Sequence, residues 1–76
     1  MNPTDFFGAS MNITINGKPQ QLEQVSTIAD LIRFLGYQDK RIAIERNGVI
    51  VPKSRHQVTA LAENDELEIV VAVGGG

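Results

Sequence analysis

Over residues 11–15 the apolar Met11, Ile13 and Ile15 alternate with Asn12 and Thr14, the two-residue period of a strand that buries one face. Asn16-Gly17 follows, and both residue types tolerate the positive φ of a type I′ turn. The chain is therefore expected to return as a second strand over residues 18–22. Ser26-Thr27 precedes Ile28, Leu31, Ile32 and Leu35, whose i, i+3, i+4, i+7 spacing is that of a buried helix face. Thr27 with Asp30 predicts a capping box, and Gly36 a left-handed stop. Phe34 lies at the edge of this stripe and is expected to be partly covered. Ile42 and Ile44, then Val49 and Val51, flank Asn47-Gly48 and predict a second hairpin. Pro52 should end its second arm because it cannot donate to a ladder. Residues 53–62 keep no period and read as a crossing loop with a helical turn. After the turn signal Glu63-Asn64-Asp65, Leu67, Ile69, Val71 and Val73 alternate with Glu66, Glu68, Val70 and Ala72 as a last strand.

The predicted order is hairpin, helix, hairpin, crossing loop and strand. It implies an α+β fold of the β-grasp kind: a small mixed sheet with one main helix packed on one face, the terminal strand running parallel beside the first. Residues 1–10 show no period and read as an extension. Phe6 and Phe7 either dock on the domain or belong to a remnant ahead of Met11. Residues 11–73 are expected to form the domain and residues 74–76 a flexible glycine tail.

Composition narrows the chemistry. A 76-residue chain with 42% hydrophobic residues makes a single domain. At this size roughly 60% of the unfolded surface is buried, too little for a core and a deep enclosed active site together. The chain has no Cys, which removes disulfides, thiolate catalysis and Cys-based zinc sites. The lone His56 has no second partner in sequence and reads as a solvated loop residue, so no metal site is expected. No catalytic motif is present, and the expectation is a protein that is not an enzyme. Net charge −2, from 7 Lys+Arg against 9 Asp+Glu, disfavours nucleic acid. No signal peptide is visible, and the longest apolar run, residues 69–73, is too short to span a bilayer. A cytoplasmic monomer is expected. Glu63, Asp65, Glu66 and Glu68 cluster near the last strand, and Lys40, Arg41, Arg46, Lys53 and Arg55 fall mid-chain. These runs are either solvated faces, the favoured reading, or a docking patch.

Two features remain. The last strand passes straight into Gly74, Gly75 and Gly76. Either they fray, or they form a tail that threads a narrow channel in a partner and presents the Gly76 carboxylate to chemistry elsewhere. At the end of a β-grasp pattern the second reading is favoured. Period 2 also leaves Val70 and Ala72 on the face opposite Leu67 and Ile69. Either the helix or loop covers them, or they belong, with Val73, to a partner interface.

Residues 11–76 resemble the ThiS family of thiamine-biosynthesis sulfur carriers, small β-grasp relatives of ubiquitin. The resemblance rests on Met11-Asn12-Ile13, Asn16-Gly17, Thr27-Ile28-Ala29-Asp30-Leu31-Ile32 with Leu35-Gly36, the stretch 42–53 that ends Asn47-Gly48-Val49-Ile50-Val51-Pro52-Lys53, Leu67-Glu68-Ile69-Val70, and Gly75-Gly76. The chain departs from the family at His56, where an aromatic residue, commonly Trp, is usual, and at Asn64, where Gly is. Asn tolerates the left-handed conformation, so that turn should survive. The resemblance implies a carrier that binds no cofactor itself. A ThiF-like adenylating enzyme would activate the Gly76 carboxylate with ATP and Mg²⁺. Sulfur from a donor such as a cysteine desulfurase would convert it to a thiocarboxylate, and a ThiG-like thiazole synthase would consume that sulfur. A molybdopterin-synthase small subunit and a ubiquitin-like protein modifier are the alternatives.

Overall fold

The computed structural model describes residues 10–72. Phe6 and Phe7, Val73 and the Gly74, Gly75, Gly76 tail lie outside the described residues. The elements are β1 (Ser10–Ile15), β2 (Lys18–Glu23), α1 (Ile28–Phe34), β3 (Ile42–Arg46), β4 (Val49–Ile50), a 3-10 turn (Lys53–Arg55) and β5 (Glu66–Val71). They form one five-stranded sheet in the order β2-β1-β5-β3-β4. β5 is central, parallel to β1 and antiparallel to β3. This is the β-grasp arrangement that the alternation predicts. β1 also takes in Ser10, opposite Glu23.

Both hairpins close where the left-handed dipeptides stand: Asn16 and Gly17 at φ 51° and 82°, Asn47 and Gly48 at φ 52° and 84°. A side chain with a Cβ pays a steric penalty at such angles that Gly escapes and Asn largely tolerates. Asn64 likewise sits at φ 69°, so the turn expected there in the left-handed region is formed.

α1 forms because its start and its stop are both satisfied locally. Thr27 Oγ1 accepts from Asp30 N, while Asp30 Oδ2 accepts from the Ser26 and Thr27 N–H groups. The first two helical N–H groups have no partner within the helix. The crossing loop supplies them: Ile28 N donates to Thr59 O and Ala29 N to His56 O. At the far end Gly36, at φ 77°, donates to Arg33 O and Tyr37 N reaches back to Ile32 O, a Schellman closure. The helix lays Ile28, Leu31 and Ile32 on one face of the sheet, against Ile13, Ile44 and Leu67. Phe34 stays largely exposed.

Three readings of the sequence need correction. The second arm of the second hairpin is shorter than expected, and Val49 is exposed because it lies opposite Arg46 at the rim of the core while Val51 alone turns inward. His56 is no solvated loop residue. It is 9% exposed, and its Nε2 lies 3.1 Å from Val51 O because the 3-10 turn folds the ring back beneath α1. Asp65, 4% exposed, is no part of a solvated acidic face. Its carboxylate accepts from Arg46 Nε at 2.7 Å, Asn47 Nδ2 at 3.0 Å and Ala62 N at 2.8 Å. Glu63 is also engaged, accepting from the backbone and side-chain nitrogens of Asn12.

Burial pushes the Asp65 carboxyl up, but the hydrogen bonds from Arg46, Asn47 and Ala62, with the Arg46 charge, outweigh it and hold it below its ordinary value. A carboxyl depressed on folding contributes stability that is fully present above its unfolded-state pKa of about 4. That stability is lost as pH falls through this value and then through the folded one. Asp65→Ala is expected to cost about 2–4 kcal/mol at neutral pH. In urea unfolding the gap between wild type and variant should narrow as pH falls below about 5; a gap that does not change with pH would assign the loss to packing.

Candidate functional site

The site grows from the end of β5. Because β1 turns away at Asn16 while β5 runs on, the Asn16 side chain takes over as ladder partner: Ile69 N donates to Oδ1 at 2.8 Å and Nδ2 donates to Ile69 O at 3.0 Å. On the other edge β3 follows β5 to its end. Ile42 lies opposite Val71, and Ala72 N donates to Arg41 O at 2.9 Å. The chain is thus held on both edges up to Ile69 and on one edge up to Ala72. The interface candidate Val73 and the tail candidates Gly74, Gly75 and Gly76 follow directly and lie outside the described residues.

Val70 and Ala72 are exposed, Val70 at 66%. α1 packs on the opposite face, so within residues 10–72 neither helix nor loop covers Val70. Its cross-strand partner is Ala43, also exposed. Two pairs further down the ladder, on the same face, Glu68 lies opposite Glu45, and Glu45 lies opposite the exposed Ile50 on its other side. The open face therefore carries the apolar residues Val70, Ala43 and Ile50 around two carboxylates placed directly opposite each other. Like charges in that position destabilise the strand pair. Residue-by-residue reading singled out Val70 and Ala72 but missed Ala43, Glu45 and Ile50. Their signal exists only in the β3–β5 register, which brings position 43 to 70 and 45 to 68.

The charge runs divide by role. Asp65 and Arg46 pair with each other, and Glu63 binds Asn12. Glu66 and Glu68 are exposed on the open face, and Lys40, Arg41 and Lys53 gather on the helix side. Among the described residues no group of three His, Asp or Glu side chains is placed to hold a metal ion, and no helix is long and apolar enough to cross a membrane. The arrangement offers surfaces on either side of an outgoing strand.

Comparison with known proteins agrees with this geometry. The model of the ThiS family matches residues 5–76. A thiazole synthase of Paramagnetospirillum magneticum is 39% identical over 66 residues, 87% of this chain but 20% of that protein. The chain spans 20% of the length of each of the thiazole synthases it matches. The sulfur carrier protein ThiS of Bacillus subtilis is 35% identical over 65 residues, covering 84% of this chain and 98% of that one. The crystal structure of the thiamine biosynthesis protein ThiS from Geobacter metallireducens superposes with TM-score 0.72 at 29% identity, over 87% of this chain and 100% of that chain.

The facing carboxylates yield a stability prediction. Glu68→Lys replaces repulsion across the β3–β5 ladder by attraction and is expected to stabilise the fold by about 0.5 kcal/mol at low ionic strength. The gain should shrink as salt is added. Chemical denaturation at two salt concentrations measures it, and a destabilised variant would mean that Glu68 has a favourable partner instead.

Proposed function

Since the chain belongs to the ThiS family, the sulfur carriers of thiamine biosynthesis, we propose that its Gly76 carboxylate is adenylated, converted to a thiocarboxylate and used as the sulfur source for the thiazole ring. A carboxylate is a poor electrophile, because its charge repels nucleophiles and oxide is a poor leaving group. Activation therefore comes first: a Gly76 oxygen attacks the α-phosphorus of ATP, bound with Mg²⁺ by a ThiF-like partner, and pyrophosphate leaves. A persulfide sulfur from a donor such as a cysteine desulfurase then displaces AMP from the acyl carbon, and a thiol cleaves the S–S bond to leave the thiocarboxylate. A ThiG-like thiazole synthase consumes it. The relatives named thiazole synthase, in which a segment like this chain makes up 20% of the length, support that partner. The chain itself acts as a cytoplasmic monomeric co-substrate and binds no cofactor.

The observation that carries this reading is the course of β5. Its end is held by Arg41 and Asn16 with Val70 and Ala72 bare beside it, so the residues that follow are launched from a rigid edge next to an apolar docking face. Residues 1–76 contain no Cys, so sulfur has no side-chain thiol to ride on. Glycines at 74, 75 and 76 leave the tail without side chains, able to enter a narrow channel and take dihedrals closed to other residues. Val70, Ala72 and Val73 are the proposed interface.

Intact mass after incubation with ATP, Mg²⁺, the adenylating enzyme, a cysteine desulfurase, cysteine and a thiol tests the reading. A gain of about 16 Da, one oxygen replaced by sulfur, is expected. Deleting Gly75 and Gly76 should abolish it. Val70→Asp should weaken it at least tenfold, by roughly 1.4 kcal/mol or more of lost docking, while the fold survives because the side chain is already in solvent. Normal modification of a folded Val70→Asp chain removes the docking face from the proposal. No mass gain with a partner demonstrably active on another carrier sinks the carrier chemistry, and higher-mass conjugates on lysines of other proteins would identify a modifier.

A further inference from the structure

Of the seven Lys and Arg residues in the chain, Arg33 and Arg46 are held in ion pairs with Asp30 and Asp65. Three others, Lys40, Arg41 and Lys53, line one groove of about 320 Å³ on the helix side of the sheet. None of the three is in a salt bridge among the described residues. They come from separate segments: Lys40 and Arg41 precede β3, and Lys53 opens the 3-10 turn. Between them lie Ile32 near the end of α1, Tyr37 from its Schellman closure, and Ile42. His56 completes the wall. A carbonyl oxygen only accepts, so the His56 Nε2 that faces Val51 O carries a hydrogen.

The groove adjoins the end of β5. Arg41 lines it while its carbonyl holds Ala72, and Ile42 lines it while pairing with Val71. Residues 73–76 reach about 14 Å at most, so on the carrier reading a protein that receives them stands against this rim. The open sheet face on the other side of the same strand carries Glu45, Glu66 and Glu68. The outgoing strand is thus flanked by an acidic, partly apolar face and a cationic groove with an apolar floor. A receiving protein complementary to both carries carboxylates on the helix side. The floor of Tyr37, Ile32 and Ile42 suits a peptide with an apolar side chain beside its acids better than a bare phosphate, which would leave that surface unused.

We propose that this groove seats an acidic peptide segment of the protein that adenylates the tail, its carboxylates on Lys40, Arg41 and Lys53 and an apolar side chain on Tyr37 and Ile42. The proposal rests on the carrier reading above and adds a second docking surface on the face opposite Val70. Unpaired rim charges act through encounter and salt dependence. The test is steady-state adenylation, read as pyrophosphate release with carrier concentration and salt varied, for the wild-type chain, the double variant Lys40→Glu/Arg41→Glu and, should the double variant lose its wild-type amide spectrum, Lys53→Glu. The expected result is a KM for the carrier raised roughly tenfold with kcat within about twofold, and a wild-type KM that climbs with salt while the variant's does not. If the wild type is adenylated and charge reversal leaves both KM and its salt dependence unchanged, the groove proposal falls and the carrier reading stands. If the wild type is not adenylated, both fall. Amide spectra of the carrier alone titrated with MgATP distinguish the remaining occupant: shifts at Tyr37, Ile42, Lys53 and His56 would make the groove a nucleotide site and overturn the peptide.

Discussion

One buried carboxylate sets where the last strand begins. Asp65 gathers donors from the second hairpin, Arg46 and Asn47, and from its own turn, Ala62, while its backbone carbonyl accepts from Thr14 of the first hairpin. Both halves of the molecule are thereby tied to one residue. A one-residue slip of β5 would turn Leu67 and Ile69 out to solvent and Val70 in. The register that Asp65 holds therefore decides which side chains stand bare beside the tail. Leaving its partners unpaired in a site this dry would be costly, which is why so small a sheet tolerates a buried charge.

The turn asparagines extend the same logic. Asn16 and Asn47 first serve as left-handed turn residues, and their side chains then bond β5: Asn16 to Ile69, and Asn47 to both Glu66 N and Asp65. Gly in either place would satisfy the backbone angle and lose the side-chain bridge. Each hairpin is thus closed and docked by one residue. The end of β5 is thereby bonded to two neighbours before the chain leaves the sheet.

The fold separates function by face. α1 and the crossing loop occupy one side of the sheet and leave the other bare, so the apolar residues Val70, Ala43 and Ile50 stay available around the Glu45–Glu68 pair. That pair is unfavourable within the chain, and a cationic partner would relieve it. On the helix side the reverse holds, with cations around an apolar floor. Two surfaces of opposite sign flanking one strand give an approaching partner an orientation as well as an affinity.

The elements themselves were legible along the chain. Period 2 in residues 11–15 and 66–72, the 3.6-residue stripe from Ile28 to Leu35, the Thr27–Asp30 capping box and the left-handed residues Asn16, Gly17, Gly36, Asn47, Gly48 and Asn64 are all constraints within a few positions of each other, and the β-grasp order followed from them. The same alternation placed Val70 and Ala72 on the outer face. What local pattern could not decide were the residues whose neighbours are distant in sequence. Asp65 reads as a turn residue until Arg46 and Asn47, 19 and 18 positions away, are brought to it. Glu63 reads as unpartnered until Asn12, 51 positions away, meets it. His56 reads as exposed until the 3-10 turn folds it under the helix, and Lys40, Arg41 and Lys53 read as a dispersed run until α1 and β3 make them one rim. Side-chain periodicity reports which face a residue takes, but burial, pairing and charge depend on what the sheet order sets against that face.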